Sequence, residues 1–177
     1  MQLAAAGHHV TALDASKSRL ERLRENLDRT HLKAELVTAD APDWSPRQPF
    51  DAILLDAPCS ATGTFRRHPE VLYRARPPII AQSSELQSHL LDRAAQWLKP
   101  GGALVYSVCS LESQEGEAVI DPFLGQNPHF SIDPPRPGEL PDFVTPHERG
   151  WVRILPGLLE AEGGMDGFFM ARLVRSA

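Results

Sequence analysis

Short apolar runs alternate with segments of helical spacing along most of this chain. HVTALDA, His9 to Ala15, reads as a buried strand ending in an acid, Asp14. Ser16 then caps a helix, SKSRLERLRENLDRT, in which Leu20, Leu23 and Leu27 recur on one face. AELVTAD is a second short strand ending in an acid, Asp40, and FDAILLDAP is a third, ending in Asp56. A polar, basic loop follows, CSATGTFRRHPEVLYRAR. Pro78 opens a long helix through Ile79, Leu86, Leu90, Leu91 and Trp97, and LKPGG stops it. ALVYSVC is a fourth strand ending at Cys109, and SLESQEGEAVIDPFL a further helix with Ser110 as its cap. The rest is loop-rich and finishes with an apolar strand, Gly167 to Val174.

Alternating strands and helices predict an α/β fold, with a mainly parallel sheet and helices on both faces in a Rossmann-like layout. In such sheets ligands bind outside the carboxyl ends of the strands. Asp14, Asp40, Asp56 and Cys109 all end predicted strands, so all four are expected to face one crevice. The opening MQLAAAG looks like the end of a helix, so the usual first strand and its glycine-rich turn are expected to be absent. That strand is central in the usual order, and its loss leaves unpaired edges within the sheet.

Bulk properties narrow the class. The chain has 177 residues, 42% hydrophobic and 23% charged, which suits one soluble domain, here taken as residues 1–177. No apolar run is long enough to span a membrane. The net charge of −5 argues against nonspecific nucleic-acid binding over the whole surface, but leaves room for a local basic face. Arg66, Arg67, His68, Arg74 and Arg76 form such a face. Solvated surface is the commoner meaning of such a cluster. Two cysteines without secretory context point to a reducing cytoplasm rather than a disulfide, and their spacing matches no zinc motif.

Each candidate residue has a plainer alternative. Asp14 either accepts hydrogen bonds from a ribose or serves as an acid near a helix N-terminus. Asp40, before Ala41 and Pro42, is either a ligand acceptor or a turn residue. Asp56 is partly removed from water and needs a donor, unless it only forms a turn before Ala57 and Pro58. Cys59 and Cys109 are either inert buried thiols or reactive ones at strand ends. For Cys109 the predicted helix N-terminus would favour the thiolate.

The chain resembles the Nop/Sun family of S-adenosylmethionine-dependent RNA (cytosine-C5) methyltransferases, most of all its bacterial 16S ribosomal-RNA members. The resemblance rests on VTALDASKSRLERLRENLDR, the strand ending in Asp40, LLDAPCSATGTFRRHPEV, LKPGGALVYSVCSLESQEGEAV and DGFFMARL, in that order. It implies a class I methyltransferase fold and methylation of C5 of a cytosine in 16S rRNA through a covalent cysteine–C6 adduct. By position, Asp14 would bind the cofactor ribose and Asp40 would lie near its adenine. Asp56 would stand between cofactor and target base, Cys109 would attack, and Cys59 would assist release. Cys59 also fits the Pro-Cys nucleophile of DNA cytosine-C5 methyltransferases, so the resemblance alone assigns the attack to Cys109. Val108 stands where the family often has threonine.

The family's glycine-rich cofactor loop would lie immediately before Met1, and its bacterial rRNA members carry an N-terminal RNA-binding domain; neither is expected here. The competing readings are a noncatalytic RNA-binding remnant and a nicotinamide-dependent Rossmann oxidoreductase, which leaves both cysteines unexplained. This chain by itself is expected to bind S-adenosylmethionine weakly or not at all. Calorimetric titration checks this, and micromolar affinity would contradict it.

Overall fold

The structure, a computed structural model, describes residues 1–177. The chain divides into two units, Met1–Arg47 and Gln48–Ala177. The first contains helix α1 (Gln2–Ala5), strand β1 (Thr11–Asp14), helix α2 (Lys17–Arg29) and strand β2 (Glu35–Thr38). Strands β1 and β2 pair in parallel, with Asp14 opposite Thr38. Ser16 caps α2 as expected, its hydroxyl accepting from the Arg19 N–H. Leu20 and Leu27 are buried, so the predicted apolar face of α2 forms the interior of this unit.

The second unit holds β3 (Phe50–Asp56), α3 (Val71–Arg74), α4 (Pro77–Gln96), β4 (Leu98–Val108), α5 (Glu117–Gln126), β5 (Phe130–Ile132), β6 (Val152–Ile154) and β7 (Phe168–Arg175). Its strands run in the order β3-β4-β7-β5, and β6 also pairs with β7. Strands β3 and β4 are parallel, while β7 runs antiparallel to β4, β5 and β6. The sheet is therefore mixed where a mainly parallel one was expected. Parallel pairing needs a long crossover, which α3 and α4 supply between β3 and β4. No α-helix lies between β5 and β7, and those strands meet antiparallel. β1 pairs only with β2, and on one side β3 has no strand neighbour. Leu54 of β3 is consequently 58% exposed, in line with the unpaired edges expected within the sheet.

One face of the second sheet carries the main core. Leu104, Tyr106 and Val108 of β4 stand in register with Leu173, Ala171 and Phe169 of β7. All six are buried, against Leu91, Ala94 and Ala95 of α4 and Val119, Ile120 and Phe123 of α5. A smaller cluster joins Val144, Val152 and Ile154 to Leu140, Leu158, Phe168 and Met170. Alternate residues of β7 thus point into different clusters, and α4 and α5 share one face. The expected helices on both faces are replaced, in this unit, by irregular chain on the second face.

Three boundaries differ from expectation. LKPGG follows the end of α4 as expected, but it also lies inside β4, where the register shifts between Phe50 and Ala52 and Gly101 takes φ +75°. Strands β5 and β6 are only three residues each and were hidden in a proline-rich stretch. Ser110 does not cap the following helix, because α5 begins at Glu117 with Gly116 as its N-cap.

Two backbones meet closely beside the cysteines. The Gly63 N–H donates to the Cys109 carbonyl at 3.0 Å, and the Gly167 N–H donates to the Gly63 carbonyl at 2.8 Å. A Cβ on Gly63 would lie 2.1 Å from the Gly167 oxygen. Gly63→Ala is expected to destabilise the protein by about 3 kcal/mol. Gly125→Ala, in a helix with nothing within 4 Å of the new Cβ, is expected to stabilise it by about 0.5–1 kcal/mol. Denaturant unfolding of both variants checks the contrast.

Candidate active site

Parallel pairing of β3 and β4 puts their carboxyl ends side by side, with Asp56 opposite Ser107. Cys59 follows the end of β3 by three residues and Cys109 follows β4 directly. Their sulfurs are 3.5 Å apart, within hydrogen-bonding range, and both thiols are free and partly buried. This contact is the chemical centre of the second unit.

The two thiols are not equivalent. The hydrogen bond from Cys59 holds Cys109 down, to about 7, against the opposing effects of burial and the negative charges of Asp56 and Asp166. The same contact, with burial and the charge of Glu115, pushes Cys59 far above the ordinary thiol value. Either sulfur can donate in this contact; with Cys59 donating, Cys109 is the one drawn toward the thiolate. The helix N-terminus expected behind Cys109 is not the cause, since α5 starts at Glu117. The neighbouring thiol takes its place.

Asp56 makes no hydrogen bond to another side chain and remains exposed, and partial desolvation pushes its carboxyl above the usual carboxylate range. Asp14 and Asp40 belong to the first unit. Asp14 ends β1 and accepts from the Ser16 N–H at 2.7 Å and from Arg19 at 2.7 and 2.8 Å. Arg19 holds the Asp14 carboxyl below its ordinary value. Asp40 follows β2, is exposed, and caps no N–H with its side chain. Of the five predicted residues, the second unit brings together Cys59, Cys109 and Asp56, and the first holds Asp14 at the end of β1 and Asp40 two residues beyond the adjacent β2.

The basic loop divides. Arg67 forms a two-pronged ion pair with Asp166, which Arg66 also approaches at 3.8 Å. His68 faces Glu70. Arg74 stays in solvent beside Tyr73, which is 80% exposed.

Sequence reasoning missed the buried polar group behind the cysteines. Glu115 is wholly buried and accepts from the Ser60 N–H at 2.8 Å, from the Ser60 and Ser110 hydroxyls, and from the Gln87 amide at 3.2 Å. Gln87, also fully buried, donates to the Pro58 carbonyl at 2.8 Å and accepts from the Tyr106 hydroxyl at 3.1 Å. Glu115 sits in SLESQEGEAV among other acids, where nothing local separates it from solvated ones. No cluster of side chains suits a metal ion, and no helix is long and apolar enough to cross a membrane.

Residues 1–174 match the family described as 16S rRNA methyltransferase RsmB/F. The chain belongs to that family. It is 41% identical over 168 residues to ribosomal RNA small subunit methyltransferase B of Shewanella oneidensis, covering 93% of this chain and 37% of the relative. The Vibrio cholerae protein of the same name is 42% identical over 170 residues, with 93% and 35% covered. The crystal structure of NSun6 from Pyrococcus horikoshii superposes with a TM-score of 0.79 at 28% identity, covering 96% of this chain and 42% of that one. The chain thus spans a little over a third of the length of these curated relatives. RsmB/F membership bears out the resemblance drawn from the motifs and the class I methyltransferase fold. It also removes the nicotinamide-dependent oxidoreductase reading.

Loss of the Cys59 thiol removes the donor that holds Cys109 down. In Cys59→Ala the midpoint for Cys109 alkylation is expected to rise from about 7 to about 8.5 or above. Below its midpoint Cys109 is a thiol and reacts slowly, so labelling at pH 7 is expected to fall by about tenfold or more. The rate of iodoacetamide labelling against pH measures it.

Proposed function

We propose that this chain is the catalytic portion of an enzyme that transfers a methyl group from S-adenosylmethionine to C5 of a cytosine in 16S ribosomal RNA. The observation that carries the reading is the pair of free sulfurs 3.5 Å apart at the carboxyl ends of two parallel strands, with Cys109 drawn below the ordinary thiol value. A lone inert cysteine has no use for that arrangement.

The acids of the first unit fit the cofactor. Asp14 ends β1, its carboxylate shared with Arg19, and Asp40 lies two residues beyond the adjacent parallel strand β2; acids so placed are suited to ribose hydroxyls and an adenine amine. Asp14 would hold the ribose and Asp40 would lie near the adenine. When bound, S-adenosylmethionine supplies an electrophilic methyl on a sulfonium.

Cytosine C5 is a weak nucleophile, and Cys109 remedies this. Its thiolate adds to C6, a new S–C6 bond forms, and the displaced π electrons give C5 enamine-like character. Asp56, with its raised affinity for a proton, would donate to N3 or hold the exocyclic amine of the base. Once Cys109 is alkylated it is no longer an anionic acceptor, so the largest influence raising Cys59 is lost. Cys59 then ionises more readily and can help remove the C5 proton, after which the S–C6 electron pair returns to Cys109. The target base must be unstacked for C6 to be reached, and Arg74, Arg76 and Tyr73 offer charge and a ring to the displaced strand. Ribosomal RNA is the proposed partner and the cytoplasm the proposed location.

The test supplies unmodified 16S rRNA and methyl-tritiated S-adenosylmethionine to the whole polypeptide that carries this chain. Tritium is expected at C5 of cytosine. Cys59→Ala is expected to accumulate a protein–RNA adduct that survives denaturing electrophoresis, and Cys109→Ala to give neither adduct nor methylation. An adduct only in Cys109→Ala reverses the two roles. RNA binding with no methylation in the unaltered protein favours a noncatalytic binding module.

A further inference from the structure

We propose that Glu115 is a positioning residue for the thiol pair: its buried carboxylate ties the Cys59 loop to the Cys109 loop and so keeps the two sulfurs in contact. Each cysteine is followed directly by a serine, Ser60 and Ser110. Both hydroxyls donate to the same oxygen, Glu115 Oε2, and lie 3.3 Å from each other. The other oxygen, Oε1, takes the Ser60 N–H and the Gln87 amide. Four donors therefore occupy the four acceptor sites of one carboxylate.

The clamp is itself held. The Tyr106 hydroxyl donates to the Glu115 carbonyl at 2.7 Å, and Gln87 bridges from Oε1 to the Pro58 carbonyl, one residue before Cys59. Thr62 accepts from the Leu111 N–H at 3.0 Å and meets the Ser110 hydroxyl at 3.2 Å, adding a second tie between the loops. A glutamine at position 115 has one acceptor oxygen, and its amide hydrogens would face donors. An aspartate is one methylene shorter. Neither can hold both loops.

Glu115 touches neither sulfur, which separates two accounts of its role by sign. As a bare negative charge it raises thiol pKa values, so neutralising it would make Cys109 more reactive. As a clamp it sustains the Cys59 hydrogen bond, so neutralising it makes Cys109 less reactive. The functional weight of the clamp rests on Cys109 being the attacking thiolate, but its effect on the thiol is measured without RNA or cofactor. The other charges felt at Cys109 are Asp56, Asp166 and Arg67, and all stay in place in the variants below.

The experiment follows iodoacetamide labelling of Cys109 against pH, mapped by mass spectrometry, with near-ultraviolet circular dichroism as a check on folding. Glu115→Gln and Glu115→Asp are both expected to raise the midpoint and to cut labelling at pH 7 by about tenfold. Ser60→Ala and Ser110→Ala, milder changes, are expected to move it the same way by less, and they decide the matter if the Glu115 variants do not fold. A midpoint that falls in Glu115→Gln while Glu115→Asp matches the parent protein overturns the clamp in favour of a charge effect. A lowered Tm with an unchanged labelling profile overturns it in favour of a purely structural role. A parent protein whose Cys109 already titrates as an ordinary thiol refutes the thiol pair itself, a separate failure from that of Glu115.

Discussion

A carboxylate withdrawn from water must have its oxygens satisfied, and this constraint organises the loops that carry the two cysteines. An unpaired buried charge costs several kcal/mol. Glu115 meets the requirement with donors from three segments: Ser60 after β3, Gln87 on α4 and Ser110 after β4. Satisfying one side chain thus fixes the relative positions of two loops and a helix. The cysteines are carried to their meeting point by residues that are not themselves reactive.

That arrangement divides labour between two chemically identical groups. Sulfur is a weak hydrogen-bond partner, so a thiol stabilises a neighbouring thiolate only at close range. At 3.5 Å the contact makes Cys109 the easier to ionise and Cys59 the harder. The asymmetry needs no metal ion and no histidine beside the pair. Asp56, left without a side-chain partner, ends β3 three residues before Cys59, and partial desolvation raises its carboxyl above the usual range.

Several parts of the fold were legible because they are local. The helix from Lys17 to Arg29 follows from the leucine spacing and its serine cap, and strands β1 to β4 from short apolar runs. Other parts were not. Strands β5 and β6 are three residues each, held by pairing with β7 rather than by their own composition. LKPGG carries a helix-stop composition, yet Phe50 and Ala52 pair on either side of it and draw it into β4. Leu54 lies in an apolar run yet is exposed, because burial of a strand depends on a neighbour, and β3 has a strand on one side only.

The sequence by itself determined the candidates: acids and cysteines placed at the ends of strands, in an order characteristic of one methyltransferase family. It could do so because strand ends and motifs are local patterns. Only the tertiary structure decided that the two cysteines meet, that Arg67 pairs with Asp166, and that Glu115 is interior. Each of these turns on a distance between residues far apart in the chain: fifty for the thiols and fifty-five for Ser60 and Glu115. Hydrogen bonding and desolvation act through such distances, and no local pattern of residues encodes them.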